Sequence, residues 1–422
     1  MKDFLATTLL MACLTFLSCS QAYHPLTSIK DDVKSHQDSF VTNDKEKHLI
    51  QQSNEFALEI FKHIVEKAPT QSTICAVQGL IYSLNLINNG ASGDTRTVLN
   101  NSLGYSENDL DTINVLCRRM MLGQMMNVPS VFGKLAEDYM KTACLLLSTP
   151  SLQVNKTFEE EMAHYYYADI IHCPSRQMQS KVNQWCLTQT EKTIKTIPID
   201  NIVDNKMIVL TSSVFNGTWV QRFWPEYTQN EPFTMANGKS KKVPMMNIED
   251  QEHLYYYAKR DHYSVLKMPY TGQFHLLVLL PEKGVLPNNI LQTLNTDSLA
   301  SIAKELETYE IFKVKLPRFK SKSTIDFRTP LIEMGLQKIF DDDAEYANIS
   351  PIPVTLKEIR QQNEINMDEN GTWIKSASAS YIFALCAYEK PRIIEFYADH
   401  PFAYMICDDF GNICFIGQYC GN

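Results

Sequence analysis

Two hydrophobic patterns divide the chain, and the change falls near residue 205. Upstream, Phe56, Ile60, Phe61, Ile64 and Val65 recur at helical spacing and predict an amphipathic helix. LIYSLNLINNG (80–90) predicts a second helix with Gly90 as its C-cap. Residues 100–200 mix helical segments with short apolar runs. The string EEEMAHYYYADII (159–171) carries three consecutive tyrosines, which read as core and interface packing. Downstream, MIVLTSSVF (207–215), LYYYAKRD (254–261), HYSVLKMPY (262–270) and FKVKLPRF (312–319) read as strands, and FHLLVLLP (274–281) as a fully buried one. FRTPLIEMGLQKIF (327–340) returns to helix. FAYMICD (402–408) and ICFIGQY (413–419) flank Gly411-Asn412 as a hairpin. No Pro/Gly/Ser linker and no repeat interrupts this order, so 49–422 reads as one α+β domain.

Ahead of it, the apolar stretch 4–19 follows Lys2. It is shorter than the ~20 residues of a membrane span and predicts a signal peptide over 1–22. Two processing sites are open. Ser20-Gln21-Ala22 suits cleavage after Ala22. Phe16-Leu17-Ser18-Cys19 resembles a bacterial lipobox, with cleavage before Cys19 and a lipid on that cysteine. Residues 23–48 are polar and read as a spacer. The expected location is extracellular, either secreted or lipid-anchored at a bacterial envelope surface.

Composition mainly excludes. Gly is 15 of 422 residues, about half the usual ~7% share, which removes collagen-like readings. The net charge is -9 with no Lys/Arg block, so nucleic acid is not an expected partner. Eleven cysteines without a C-x-x-C support neither a disulfide scaffold nor a zinc ribbon. Cys407, Cys414 and Cys420 cluster near the end and leave a disulfide open; the favoured reading is buried small hydrophobes. His253, His262 and His275 have no ligand spacing, and Asp341-Asp342-Asp343 reads as a solvated turn. H-E-x-x-H, G-x-S-x-G, Walker and dinucleotide motifs are all missing. The sequence therefore predicts no enzyme, no metal and no cofactor.

An ordered series of short stretches resembles the serpins, the serine-protease-inhibitor superfamily. It runs Asn216-Gly217-Thr218-Trp219 with Phe223 and Pro225, Glu231-Pro232-Phe233, Val243-Pro244-Met245-Met246, Leu279-Leu280-Pro281 and Lys315-Leu316-Pro317-Arg318-Phe319. Met334-Gly335-Leu336 with Phe340, then Phe396 through Phe402, complete it; Ala403 departs where a larger apolar residue is usual. The series covers roughly residues 50 to 420.

The resemblance implies three β-sheets, eight or nine helices and an exposed reactive-centre loop, here about 369–395. It also implies a monomer whose partner is a serine or cysteine protease. The protease attacks the loop, and the cleaved loop inserts as a new strand in the main sheet. Family spacing from Gly371 puts the reactive bond at Leu385-Cys386, with Ala387 or Tyr388 as later alternatives. Apolar residues there imply chymotrypsin-like or elastase-like targets. The hinge is Glu369, Gly371, Thr372, Trp373, Ile374, Lys375 and Ser376. It departs from the Ala-rich inhibitory pattern, most at Ile374, where overpacking typically costs ~1–3 kcal/mol. The sheet-opening region implied is Trp219, Arg318, Thr211 and Gln361 with Cys75–Gly79, and Glu369 is expected to pair with Arg318. The alternative reading is a non-inhibitory serpin-fold binding protein or protease substrate.

Overall fold

The computed structural model describes residues 32–33, 41–126, 128, 135–200, 206–250, 254–309, 311–372 and 392–422. The first long helix, α1 (Asp44–Glu66), is started by its own sequence. Asn43 Oδ1 accepts from the Glu46 backbone N–H, and Glu46 Oε2 accepts from that of Asn43, both at 2.9 Å. Capping residues are polar, so this start is hidden inside the stretch expected as spacer, 23–48. Phe56, Ile60, Phe61 and Val65 form the buried face, and Ile64 packs against it half-buried.

The edge strand β1 (Thr73–Cys75) leads into α2 (Val77–Gly90), which is buried on nearly every side. Gly90 is its last residue rather than its cap; Ala91 caps it in an extended conformation. Gly90 is needed for packing, because a Cβ there would lie 2.1 Å from Ile349 Cγ1. Helices α3 (Gly93–Leu103) and α4 (Leu110–Gly123) follow. Next come β2 (Tyr139–Ser148), α5 (Lys156–Tyr166), β3 (Asp169–His172), α6 (Ser175–Gln189) and β4 (Lys206–Thr218). Within 159–171, Tyr166 and Tyr167 are buried, as their reading as packing residues anticipates.

The β-rich half runs β5 (Gln229–Thr234), β6 (Ser240–Asp250), β7 (Tyr256–Lys259), β8 (Tyr263–Pro269) and β9 (Phe274–Pro281). Two helices, α7 (Pro287–Leu291) and α8 (Thr296–Glu305), precede β10 (Ile311–Pro317) and β11 (Phe319–Asp326). The alternating run 312–319 thus belongs to two strands, which turn at Arg318 into different sheets. The helix expected over 327–340 is also two pieces, α9 (Arg328–Glu333) and a 3-10 turn at Gln337–Phe340. Gly335 between them takes φ +89, which a continuous helix does not allow. The chain ends with β12 (Thr355–Asp368), the two-residue β13 (Gly371–Thr372), β14 (Ile393–Tyr397), β15 (Phe402–Asp408) and β16 (Ile413–Tyr419).

These strands make three sheets, accompanied by nine helices among the described residues. The main sheet has the order β11-β12-β13-β4-β2-β3, the second β1-β16-β15-β9-β8-β7 and the third β14-β10-β6-β5. The terminal hairpin β15–β16 sits inside the second sheet, and every one of its strand residues is buried. One large core joins the helices to the main and second sheets, and another lies between all three sheets. A third cluster covers the opposite face of the main sheet, where Met178, Val182 and Trp185 of α6 pack on Leu145, Leu147, Ile208 and Leu210.

Candidate functional site

The main sheet is paired unevenly between β4 and β12. At its lower end the two run parallel and pair directly, up to Gln361 opposite Thr211. At its upper end β13 lies between them, antiparallel to both. Thr372 there faces Met367 on one side and Gly217 on the other. Between these levels, residues 362–366 and 212–216 flank a seam with no β4–β12 ladder among the described residues.

Gln361 closes the lower end of the seam. Its Nε2 donates to the Ala76 carbonyl at 3.0 Å and to Thr211 Oγ1 at 3.2 Å. Its Oε1 accepts from Ala76 N–H at 3.1 Å and Asn363 Nδ2 at 2.7 Å, with Cys75 Sγ at 3.8 Å. Asn363 also donates to the Ile74 carbonyl, and Thr142 and Ser213 share a hydrogen bond of 3.0 Å. Gly79 lets α2 approach this group: a Cβ would meet Gln361 Nε2 at 2.9 Å and Ser213 Oγ at 3.0 Å. The structure therefore brings together Cys75–Gly79, Thr211 and Gln361, as the sequence resemblance implies. It adds Asn363, Ser213 and Thr142, which sequence reading missed. The signal available was Gln361-Gln362-Asn363, three amides inside a strand. Asn363 Oδ1, Gln362 Nε2 and Ser212 Oγ are buried without a hydrogen-bond partner among the described residues, each at a cost of order ~1–3 kcal/mol.

The upper end is built around Trp219. Its indole N–H donates to the Asp368 carbonyl at 3.0 Å, and its ring stacks on Tyr270 at 4.5 Å. Backbone N–H groups of Trp219 and Phe223 donate to the carbonyls of Asn370 and Glu369. Arg318 Nη1 lies 3.3 Å from Glu369 Oε1, the pair expected from sequence. Glu369 is buried while Arg318 is half-exposed, so Thr228 Oγ1, donating to the same oxygen at 2.7 Å, does part of the holding. Gly371 is required sterically, since a Cβ there would lie 2.0 Å from the Gly217 carbonyl oxygen. Asp138 ties the top of β4 to the 271–272 turn by accepting from Thr218 N–H and Gly272 N–H. Burial nonetheless pushes its carboxyl above the ordinary range.

The other expected site residues, Cys19, Trp373, Ile374, Lys375, Ser376, Leu385 and Cys386, lie outside the described residues, as does His253. His275 is half-buried in the second sheet, and desolvation lowers its imidazole to about 3. Cys407, Cys414 and Cys420 are free and buried, so the disulfide left open is not formed. Asp341–Asp343 lie at the surface, with Asp343 paired to Lys338 at 2.8 Å. One arrangement looks like a nucleophile relay: Ser148 Oγ is 2.6 Å from His172 Nδ1, and Nε2 is 3.4 Å from Glu159. Ser148 is fully buried, so no substrate reaches its hydroxyl. No cluster of three or more potential metal ligands occurs among the described residues.

The serpin (serine protease inhibitor) family model matches residues 51–421. An uncharacterized serpin-like protein of Methanosarcina acetivorans is 26% identical over 380 residues, 87% of this chain and 84% of its own. The leukocyte elastase inhibitor of Sus scrofa is 25% identical, over 86% of this chain and 96% of its own. Among solved structures, the thermophilic serpin tengpin in its native state superposes with a TM-score of 0.78 at 21% identity, covering 91% of this chain and 96% of tengpin. Thyroxine-binding globulin in complex with thyroxine gives 0.76 at 17%, covering 89% and 99%. With the ordered sequence landmarks, the three sheets and a family match over nearly the whole domain, the chain belongs to the serpin family.

Proposed function

We propose that this serpin inhibits serine proteases as a suicide substrate, with its cleaved loop entering the main sheet along the seam between β4 and β12. The observation that carries the reading is the register set by Thr372. Opposite strand residues share a face. Continuing the register, Ile374 would fall between Ile365 and Phe215, Ser376 between Asn363 and Ser213, and Ser378 between Gln361 and Thr211. Apolar would meet apolar, and the serines would meet the polar cluster, including the partnerless Asn363 Oδ1. A small cavity below Thr372, lined by Ile74, Phe215, Ile365 and Phe415 among others, lies on the path of Ile374. This lowers the overpacking expected for a residue larger than Ala. On the other face, Lys375 would stand opposite Glu364 and gain a cross-strand ion pair.

The test is to mix the mature protein with chymotrypsin and with pancreatic elastase, then run denaturing gels and mass spectrometry. The expected result is a denaturant-resistant band at the summed mass and a small C-terminal peptide beginning near Cys386. Cleavage in the loop without a covalent band, and without a rise in melting temperature, would favour a non-inhibitory binder. We further propose export through the N-terminal segment, with cleavage before Cys19 and a lipid on that cysteine. Wild type fractionating with membranes and Cys19→Ala remaining soluble is the expected outcome; identical fractionation would refute it.

A further inference from the structure

We propose that Tyr270 is a positioning residue that latches Thr372 into the main sheet before any protease arrives, so that insertion extends a strand already begun. The proposal concerns how the inhibitory reading above is executed, and it rests on that reading for its consequence but not for its geometry. Tyr270 follows β8 and forms an isolated bridge to Trp219. Its hydroxyl lies 2.7 Å from Thr372 Oγ1, and both side chains are buried. Among the described residues, neither hydroxyl has another partner.

The ring is held in place from two directions. It stacks on Trp219 with 10° between the planes and meets Phe215 edge-on at 5.1 Å. The strand opposite makes room for it. A Cβ on Gly217 would lie 2.7 Å from Tyr270 Cδ1 and 2.6 Å from Phe215 Cζ. Gly217 is also the residue that faces Thr372 across the ladder. Glycine at 217 therefore allows the phenol to reach beneath β4 to Thr372, which with Gly371 pairs on both sides.

This placement has a kinetic meaning. Bringing the end of a free loop to a strand costs closure entropy before any contact is gained. Once Thr372 is paired, each further residue adds ladder bonds on both sides from an anchored neighbour. Because inhibition is a race between insertion and deacylation, a seated Thr372 shortens the slow part of the race. A buried neutral hydrogen bond is worth a factor of roughly 2 to 12 in an equilibrium. That is the expected gain in the seated population.

The test uses Tyr270→Phe, which keeps the ring and both aromatic contacts, and Thr372→Val, which keeps the β-branched shape. Hydrogen exchange is read by mass spectrometry in peptides covering 367–372, on the uncut protein. Exchange at 371–372 should rise by about that factor of 2 to 12 in either variant. The double variant should be no worse than either single one. With chymotrypsin as the probe, the ratio of cleaved to covalently trapped protein should rise by a similar factor, while loop attack is no slower. Unchanged exchange at 371–372 overturns the latch. So does exchange that rises equally throughout β4 and β12, which is the signature of general destabilisation. If wild type is cleaved but never trapped, the inhibitory reading fails, and the exchange measurement alone judges the latch.

Discussion

Two adjacent glutamines in β12 should respond unequally to the same substitution. Gln361→Met removes an amide that makes, besides a long contact with Cys75 Sγ, four buried hydrogen bonds, two with the Ala76 backbone and one each with Thr211 and Asn363. At ~1 kcal/mol net each, the loss is ~4 kcal/mol. Methionine matches the volume, so little cavity cost adds to it. For a domain of roughly 370 residues, unfolding entropy near ~2.1 cal/mol/K per residue converts this to a fall of about 5 °C in melting temperature. Gln362→Met is the control. Gln362 makes one hydrogen bond, from Thr324 Oγ1 at 3.3 Å, and its buried Nε2 has no partner among the described residues. Losing the weak bond and the unmet donor together should leave the melting temperature within about 1 °C of wild type. Thermal unfolding of the uncut protein, followed by circular dichroism, measures both. Equal shifts for the two variants would refute the assignment of Gln361 as the closure of the seam.

Three further outcomes follow from the same geometry. Gly371→Ala places a methyl 2.0 Å from the Gly217 carbonyl oxygen, so β13 should leave the sheet and limited proteolysis should cut near 371–372 faster than in wild type; an unchanged digestion pattern would contradict the packing. Burial raises Asp408 to about 6 against ~3.9 when unfolded. The folded state therefore holds that proton more tightly, and its stabilisation, present below pH ~4, is lost as pH rises through 6. Relative to Asp408→Asn, wild type should lose on the order of 3 kcal/mol between pH 4 and 7, read as the difference between their denaturation curves. His275 acts in the opposite sense: its lowered value of about 3 means stability is lost as pH falls below ~6.5, so the comparison must be variant against wild type at each pH. Finally, Glu364→Lys should slow loop insertion about 1.4- to 5-fold by opposing Lys375, in line with cross-strand pairs of ~0.2–1 kcal/mol, and Lys375→Glu in the same chain should restore it.

Much of the local structure was legible in the chain. The face of α1 and the hairpin around Gly411-Asn412 are written in residue order, because a helix or hairpin is specified by neighbours a few positions apart; β9, expected to be fully buried, instead leaves His275, Leu277 and Leu280 half-buried. The serpin landmarks likewise pointed to Trp219, Arg318, Glu369, Thr211 and Gln361 before any coordinates. Signals that a polar residue can serve two ways were not legible. Asn43 reads as spacer until its cap is seen, and Gly90 reads as a cap until Ile349 is found against it. The run 312–319 shows one alternation, yet its halves enter different sheets, since burial on one side has the same period in either sheet.

Which atoms meet along the seam was decided by tertiary structure. Gln361 meets Ala76 across 285 positions and Thr211 across 150, and Tyr270 meets Thr372 across 102. No local period encodes such a meeting. Hydrophobic patterning determined which faces are buried, through the burial of apolar surface, which is indifferent to partner. Which polar atoms meet inside that interior depends on strand register and on glycines at 79, 217 and 371 that let backbones and rings approach. Hydrogen bonds are short-ranged and directional, so they are set only once the sheets have come together.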